Sequence, residues 1–302
     1  MRHLHFGKLL FVVFSLLLAC TVSARKPIKT LLITGQNNHN WQVSHVVLKQ
    51  ILENSGRFDV DFAVSPEQGK DMSGFVLDFS PYQLVVLDYN GDSWPEETNR
   101  RFLEYVQNGG GVVIYHAADN AFSKWPEFNK ICALGGWEGR NENSGPYVYW
   151  QDKLVKDSSA GVGGSHGRQH EYVLNGRDKV HPIVKGLPLK WRHAKDELYD
   201  RMRGPGNIRD ILYTAYSDKE TNGSGREEPL IFTVDYGNAR IFHTMLGHAG
   251  ATPEDNIAMQ CTGFQVLLLR GAEWAATGKV TQKVPKDFPT ETSCSYRKDY
   301  KE

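Results

Sequence analysis

Five histidines stand where α/β proteins gather their chemistry. His39, His116, His166, His170 and His248 each follow an apolar run or sit in a glycine-rich loop. An imidazole can take up a proton, deliver one or bind a metal. Several imidazoles meeting a carboxylate make a site for Zn, Mn or Ni, and equally one for acid–base chemistry on a sugar. Glu197, in Asp196-Glu197-Leu198-Tyr199, is the carboxylate candidate, as metal ligand or base. The competing reading makes Asp196 and Glu197 a solvated turn. His248 follows Gly247, which leaves open backbone space around it. Convergence would decide for function, and spacing alone does not show convergence.

Other side chains near these histidines suit hydroxyl recognition. Asn38, Asn90 and Asn120 each lie in a loop leaving an apolar run, although asparagine is also a turn former. Trp41 and Trp94 could stack on a sugar ring or serve as structural core. The run Gly161-Val162-Gly163-Gly164-Ser165-His166-Gly167 is a weak phosphate-loop match, because it follows no clear strand and opens no clear helix. With 35 basic and 35 acidic residues the formal net charge is zero, which argues against a nucleic-acid binder.

The elements needed to bring these residues together are legible. Ile28–Thr34, Phe58–Val64 and Leu84–Asp88 read as strands, and so does the run from Gly111 that ends at His116. Val43, Val46, Val47, Ile51 and Leu52 recur at helical spacing up to Gly56. Pro95-Glu96-Glu97 opens a second helix that Gly109-Gly110-Gly111 closes. This alternation predicts an α/β fold, a doubly wound, mostly parallel sheet with helices on both faces, whose strand exits share one edge. From Phe122 to about Gly176 the pattern loosens into an aromatic, glycine-rich stretch, long enough to suggest a functional loop. Strands follow near Glu171–Leu174, Ile211–Ala215, Leu230–Asp235 and Arg240–Thr244, the last two as a hairpin around Gly237-Asn238. Asp255–Ala276 reads as a closing amphipathic helix with Ile257, Phe264, Leu267, Leu268 and Trp274 as core, and the tail beyond Gly278 as surface.

The N-terminus reads as an export signal. Arg2, His3 and Lys8 precede the apolar run Leu9–Ala19, which is too short to span a bilayer comfortably, and Val22-Ser23-Ala24 fits a cleavage site. In the alternative, Leu17-Leu18-Ala19-Cys20 is a lipoprotein signal with a lipid anchor on Cys20. Both place the protein outside the cytoplasm, in the periplasm. Cys132, Cys261 and Cys294 form no CxxC pair, so no thiolate metal knot is expected. One disulfide plus one thiol, or three unpaired thiols, both fit.

Taken in order, several of these segments resemble the ThuA-like family of trehalose utilisation. They are Leu32-Ile33-Thr34-Gly35 with Asn38-His39-Asn40-Trp41; Gly109 through Ala118; His181-Pro182-Ile183 with Gly186-Leu187-Pro188; Asp196 through Tyr199; and Leu246-Gly247-His248. The resemblance runs from about Ile28 to Gly278. It implies a flavodoxin-like, class I glutamine amidotransferase-like three-layer sandwich, and with the export signal the chain divides into a signal peptide over 1–24, one ThuA-like domain over 25–280 and a tail over 281–302. It also implies a role in carbohydrate metabolism, tied to pathways that oxidise a glycoside at C3. In the amidotransferase relatives the strand-exit residue is a nucleophilic cysteine; here it is His116, which argues against a glutaminase. Carried over by position, His39, His116, Glu197 and His248 belong in the cleft. His116, Glu197 and His248 are then the catalytic candidates, and the same three with His39 the ligands of a divalent metal. Asn38, Trp41, Asn90, Asn120, His166 and His170 are the candidates for substrate binding. The expected ligand is a sugar or sugar derivative, with no nucleotide and a homo-oligomer as one arrangement. The leading expectation is a metal-assisted lyase or hydrolase on 3-keto-glycosides. A keto-sugar isomerase or epimerase and a non-catalytic carbohydrate-binding module are the alternatives.

Overall fold

The computed structural model describes residues 26–252 and 256–298. The expected signal and the Cys20 anchor lie outside the described residues. The first half follows the sequence pattern closely. Strand β1 (Ile28–Thr34), helix α1 (Trp41–Asn54) and strand β2 (Phe58–Val64) form one crossover. Strand β3 (Leu84–Leu87), helix α2 (Glu96–Gln107) and strand β4 (Gly111–Tyr115) form the next. β3 and β4 are buried along their whole length, which is why they read as unbroken apolar runs. A short helix α3 (Pro126–Cys132) follows.

The second half departs from the expectation. The stretch read as a long loop contains the antiparallel hairpin β5 (Tyr147–Gln151) and β6 (Lys153–Asp157) and the short strand β7 (Ser165–His166). Then come β8 (His170–Gly176), β9 (Lys190–Asp196), β10 (Tyr199–Asp200), β11 (Ile208–Tyr216), β12 (Glu227–Val234) and β13 (Arg240–Thr244). β12 and β13 make the expected antiparallel pair. Helix α4 (Ile257–Gln260) is separated from α5 (Thr262–Thr277) by Cys261, so the closing helix is broken where one continuous helix was expected. Ile257 is exposed, contrary to expectation, whereas Phe264, Leu267, Leu268 and Trp274 are buried.

Eleven strands form one large mixed sheet ordered β2-β1-β3-β4-β13-β12-β11-β8-β9, with the β5–β6 hairpin attached to β12, and β7 and β10 pair antiparallel as a separate two-stranded sheet. Only β2-β1-β3-β4-β13 is parallel. From β13 onward every pair is antiparallel, so the "mostly parallel" expectation holds for that half alone. The physical reason is connection length. Hairpin turns join β11, β12 and β13 without room for a crossover helix, and a parallel pair needs one. Crossovers run in opposite directions from the β1–β3 boundary, and right-handedness then puts α1 and α2 on opposite faces. α5 packs against β4 and β13 on the α1 side.

The tail is not a loose surface segment. Phe288 enters the core against Trp191, Arg192 N–H donates to Thr290 O (2.7 Å), and Thr262 N–H donates to Ser295 O (2.9 Å). This strap covers the outer face of α5, which explains why that helix is apolar nearly all round.

Candidate metal and substrate site

Sheet order reverses between β1 and β3, so the loops leaving β1, β3, β4 and β13 open on one edge, the usual place for a ligand in such sheets. Asp88, buried at the end of β3, organises the first of them. It accepts from Ser44 Oγ (2.5 Å) and Asn37 Nδ2 (3.0 Å), and Asn37 Oδ1 in turn accepts the His39 N–H (2.9 Å). Burial pushes the Asp88 carboxyl up to about 7 despite these donors. Asn90 accepts from Asn38 N–H (3.1 Å) and donates to Asn38 Oδ1 and to Ala117 O (3.1 Å), tying the β1, β3 and β4 loops together.

His116 turns the chain sharply out of β4. Its φ of 45° is rare for a non-glycine residue and costs about 1–3 kcal/mol, a strain that marks functional turns. Its ring stacks on Tyr199, with centroids 4.7 Å apart, and Nδ1 lies 2.7 Å from Met245 O. His248 leaves β13 through Gly247. There φ is +106°, and a Cβ would fall 2.6 Å from the Phe264 ring and 2.8 Å from Tyr115, so only glycine fits.

Glu197 comes from the antiparallel half, just past β9. Asp196 holds it there. This fully buried carboxylate accepts from Glu197 N–H (2.7 Å), Gly247 N–H (2.7 Å), His248 N–H (3.1 Å) and His193 Nε2 (2.7 Å). One side chain thus clamps the end of β9 to the exit of β13. These donors hold the Asp196 carboxyl below the usual range against burial, which alone would raise it. The solvated-turn reading of Asp196 and Glu197 is therefore overturned: both are buried.

The ligand atoms of His39, His116, Glu197 and His248 all lie within 4.8 Å of one another. Glu197 Oε2 is 3.2 Å from His39 Nε2 and 3.6 Å from His116 Nε2, and Oε1 is 3.2 Å from His248 Nδ1. That last approach lacks hydrogen-bond alignment, leaving His248 Nδ1 without a partner. His116 Nδ1 faces Met245 O, and His39 Nδ1 faces Asn38 Oδ1 (3.2 Å), so Nδ1 carries a hydrogen in both rings, and each ring in its neutral form turns an Nε2 lone pair inward. Three nitrogens with one carboxylate oxygen are a donor set suited to a divalent metal. Burial, reinforced by the neighbouring imidazoles, pushes His39 down to about 4 against the pull of Glu197, keeping it neutral and able to ligate. Burial also works against the Glu197 carboxylate, yet the His116, His248 and His39 rings hold it well below the usual range. His116 is buried too, but Glu197 and Asp196 outweigh that and raise it.

Around these four donors a cleft of about 360 Å³ is lined by Asn38, Asn120, Trp137, His166, Tyr199 and Ala249, among others. Three of the expected substrate residues, Asn38, Asn120 and His166, therefore face it. Asn90 braces Asn38 from behind. Trp41 packs on His45, and His170 bonds back to Arg168 O (2.8 Å), so neither lines the cleft. Trp94 is buried among Tyr89, Phe102 and Phe122. Sequence reasoning missed Trp137, Tyr199, His193 and the clamping role of Asp196. The alternation Trp191-x-His193 in β9 was the available signal for His193. The glycine run 161–167 threads beside the Gly135–Gly136 turn, and Gly164 (φ +86°) could carry no Cβ there. Cys132, Cys261 and Cys294 are unpaired. A larger cavity of about 580 Å³ opens near Phe79, Tyr82 and Gly110 at the opposite end of β3 and β4, but its Arg100 and Arg101 are already paired with Glu97 and Glu104.

The ThuA family, described as trehalose utilisation, matches residues 29–275. The chain is similar to the solved structure of a putative ThuA-like protein from Parabacteroides merdae at 96% identity, covering 92% of this chain and 100% of that one, with a TM-score of 0.91. A putative ThuA-like protein from Bacteroides uniformis, 19% identical over 85% of this chain and 95% of that one, shares the fold with a TM-score of 0.53. No curated protein matches. The family match spans most of the chain and includes every converging donor, so this protein belongs to the ThuA family.

Proposed function

We propose that the protein is a metal-assisted lyase or hydrolase acting on 3-keto-glycosides. The observation that carries this reading is the convergence of His39, His116, Glu197 and His248 beside a polar, sugar-sized cleft. The family's trehalose description supports a carbohydrate substrate. A divalent metal bound there would act as a Lewis acid on the oxygens of the keto sugar.

The chain's own residues then have separable tasks. His39, His116, Glu197 and His248 would hold the metal, so the base is best sought among the cleft groups left over. His166 fits: its Nδ1 bonds Gly167 O (2.8 Å), which leaves the Nε2 lone pair for the cleft, 3.8 Å from Glu197 Oε1. A ketone at C3 acidifies the C2 hydrogen. His166 Nε2 takes that proton, the C2–H electron pair forms the C1–C2 double bond, and the C1 substituent leaves with the C1–O electrons. Tyr199 O–H, 3.2 Å from His116 Nε2, faces the same space and is placed to hydrogen-bond a substrate oxygen. The turn at His116, where the amidotransferases carry cysteine, supports kinship with that fold without its thiol chemistry.

Export to the periplasm, with or without a lipid on Cys20, is part of the proposal and rests on the charged and apolar pattern of residues 2–24. The decisive experiment incubates the purified mature protein with a 3-keto-glucoside and follows it by NMR, with divalent metal in one sample and chelator in another. Metal-dependent aglycone release supports the lyase. A keto sugar rearranged with its aglycone retained points to an isomerase, and binding without turnover to a binding module. His116→Ala should abolish turnover with the fold intact; full activity in that variant removes the assignment. His166→Gln should abolish elimination and leave metal affinity unchanged.

A further inference from the structure

We propose that Trp137 and Asn120 form a sugar-ring subsite beside the four-donor cluster, with Trp137 as the face a pyranose lies on and Asn120 as acceptor for one of its hydroxyls. The inference rests on the carbohydrate reading above and adds to it which residues read the ring. Both residues line the cleft, and neither belongs to the four donors. Asn120 is 5% exposed, and its Oδ1 is buried without a hydrogen-bond partner. An orphaned buried acceptor is costly unless a ligand supplies the donor, and a sugar hydroxyl is such a donor.

Trp137 is only half buried, and the way it is held is unusual. Trp137 and Glu138 both take positive φ, 50° and 46°, a conformation non-glycine residues avoid and keep only when their surroundings impose it. Backbone bonds from Trp137 N–H to Gly163 O, Arg140 N–H to Trp137 O and Gly163 N–H to Arg140 O, all 2.8 Å, lock the turn. The indole meets Tyr199 edge-on, centroids 4.9 Å apart. Arg140 then links the two halves of the subsite. Its guanidinium, buried in the protein, donates to Asn120 O (2.8 Å), Ala121 O (2.8 Å) and Gly136 O (2.7 Å). The aromatic face and the amide are therefore set on one rigid frame before any ligand arrives. An apolar face with a few fixed polar groups is the general form of a small-ligand pocket, and an aromatic face beside an amide oxygen fits the two sides of a pyranose.

The test uses the full mature chain, loaded with Zn²⁺ and stripped, titrated by calorimetry with trehalose and with methyl α- and β-glucoside. Wild type is expected to bind at least one. Trp137→Leu and Asn120→Ala should each weaken that binding about tenfold or more, the loss of one good contact, while Zn²⁺ affinity stays within about twofold. Trp137→Phe, which keeps an aromatic face, should recover most of the sugar affinity. If Trp137→Leu does not fold, Asn120→Ala and Trp137→Phe decide. Sugar binding by both substituted proteins equal to wild type overturns the subsite and leaves the proposed function standing. No binding of any of these sugars by wild type, loaded or stripped, overturns the subsite, and turnover of the 3-keto-glucoside decides the proposed function separately.

Discussion

The parallel and antiparallel halves of the sheet meet at the site and bring different things to it. The parallel half supplies three imidazoles, His39, His116 and His248, from the exits of β1, β4 and β13. The antiparallel half supplies Glu197, just past β9 and the one carboxylate among the converging donors, and the separate β7–β10 pair beside it supplies the walls His166 and Tyr199. Position is thus set by the parallel strands and charge by the antiparallel arm. Asp196 joins the two, with Glu197 N–H on one side and the Gly247 and His248 N–H groups on the other. A site divided this way can change its ligand charge or its walls by altering the arm, without disturbing the strands that fix the histidines.

The most direct way to break the comparison is Glu197→Gln. Removing the only anionic donor should lower Zn²⁺ affinity by about a hundredfold or more, beyond the tenfold to hundredfold usual for outer partners of a metal site; isothermal titration reads it. If affinity is retained, the parallel half alone makes the site, and the division of labour is wrong. Next in size is Asp196→Asn. Half of a buried, hydrogen-bonded pair with His193 is removed, so stability should fall by about 3–5 kcal/mol and Zn²⁺ affinity by about tenfold to a hundredfold. Denaturant unfolding and titration together check this, and an affinity unchanged in the folded fraction would show that the halves need no clamp.

The clamp also carries a pH signature. Burial disfavours the His193 imidazolium, but Cys261 and Asp196 outweigh it and raise the group from 6.5 to about 9. His193 itself therefore holds its proton in the folded protein between those values, while Cys261, lowered by His193, gives its proton up earlier and offsets part of that uptake. The stabilisation is complete below about 6.5 and is lost as pH rises through about 9. Its ceiling is on the order of 3 kcal/mol. Tm of the metal-stripped protein should fall across that window, and His193→Gln should flatten the slope. A wild-type Tm that rises from pH 7 to 9 would contradict the pairing.

The two halves also differed in how far the sequence disclosed them. β3 and β4 are buried on both faces, so Leu84–Leu87 and Gly111–Tyr115 appear as apolar runs, and the glycines and Pro95 mark the helix ends between them. His39, His116 and His248 were legible for the same reason, as the polar residues that end such runs. β9 was not legible. Its buried positions hold Trp191, His193, Ala194 and Asp196, so an inward-facing polar network breaks the apolar alternation a strand should show. β5 was hidden by partial exposure of Tyr149 and Trp150, which reads as an aromatic loop. Trp137 was lost because its role comes from a positive-φ turn and from Arg140, neither of which leaves a periodic trace. The tail was misread because a single apolar anchor, Phe288, is enough to dock a polar strap on α5.

The smallest expected effect sharpens the comparison within the parallel half. Asn37 stands between Asp88 and the His39 backbone, accepting the His39 N–H (2.9 Å) and donating to Asp88 (3.0 Å). It touches none of the converging atoms. If the parallel strands fix the histidines by such loop bonds, Asn37→Ala frees the His39 loop at the cost of about 1 kcal/mol per bond. That corresponds to a loss in Zn²⁺ affinity of roughly fivefold. The same substitution leaves Asp88 short of one donor, and burial should then raise its carboxyl further. An Asn37→Ser variant, whose hydroxyl is too short to span both partners, should behave like alanine. Were both variants to bind Zn²⁺ as wild type does, His39 would be held by Glu197 and its own ring contacts alone, and the arm would be doing the positioning as well as supplying the charge.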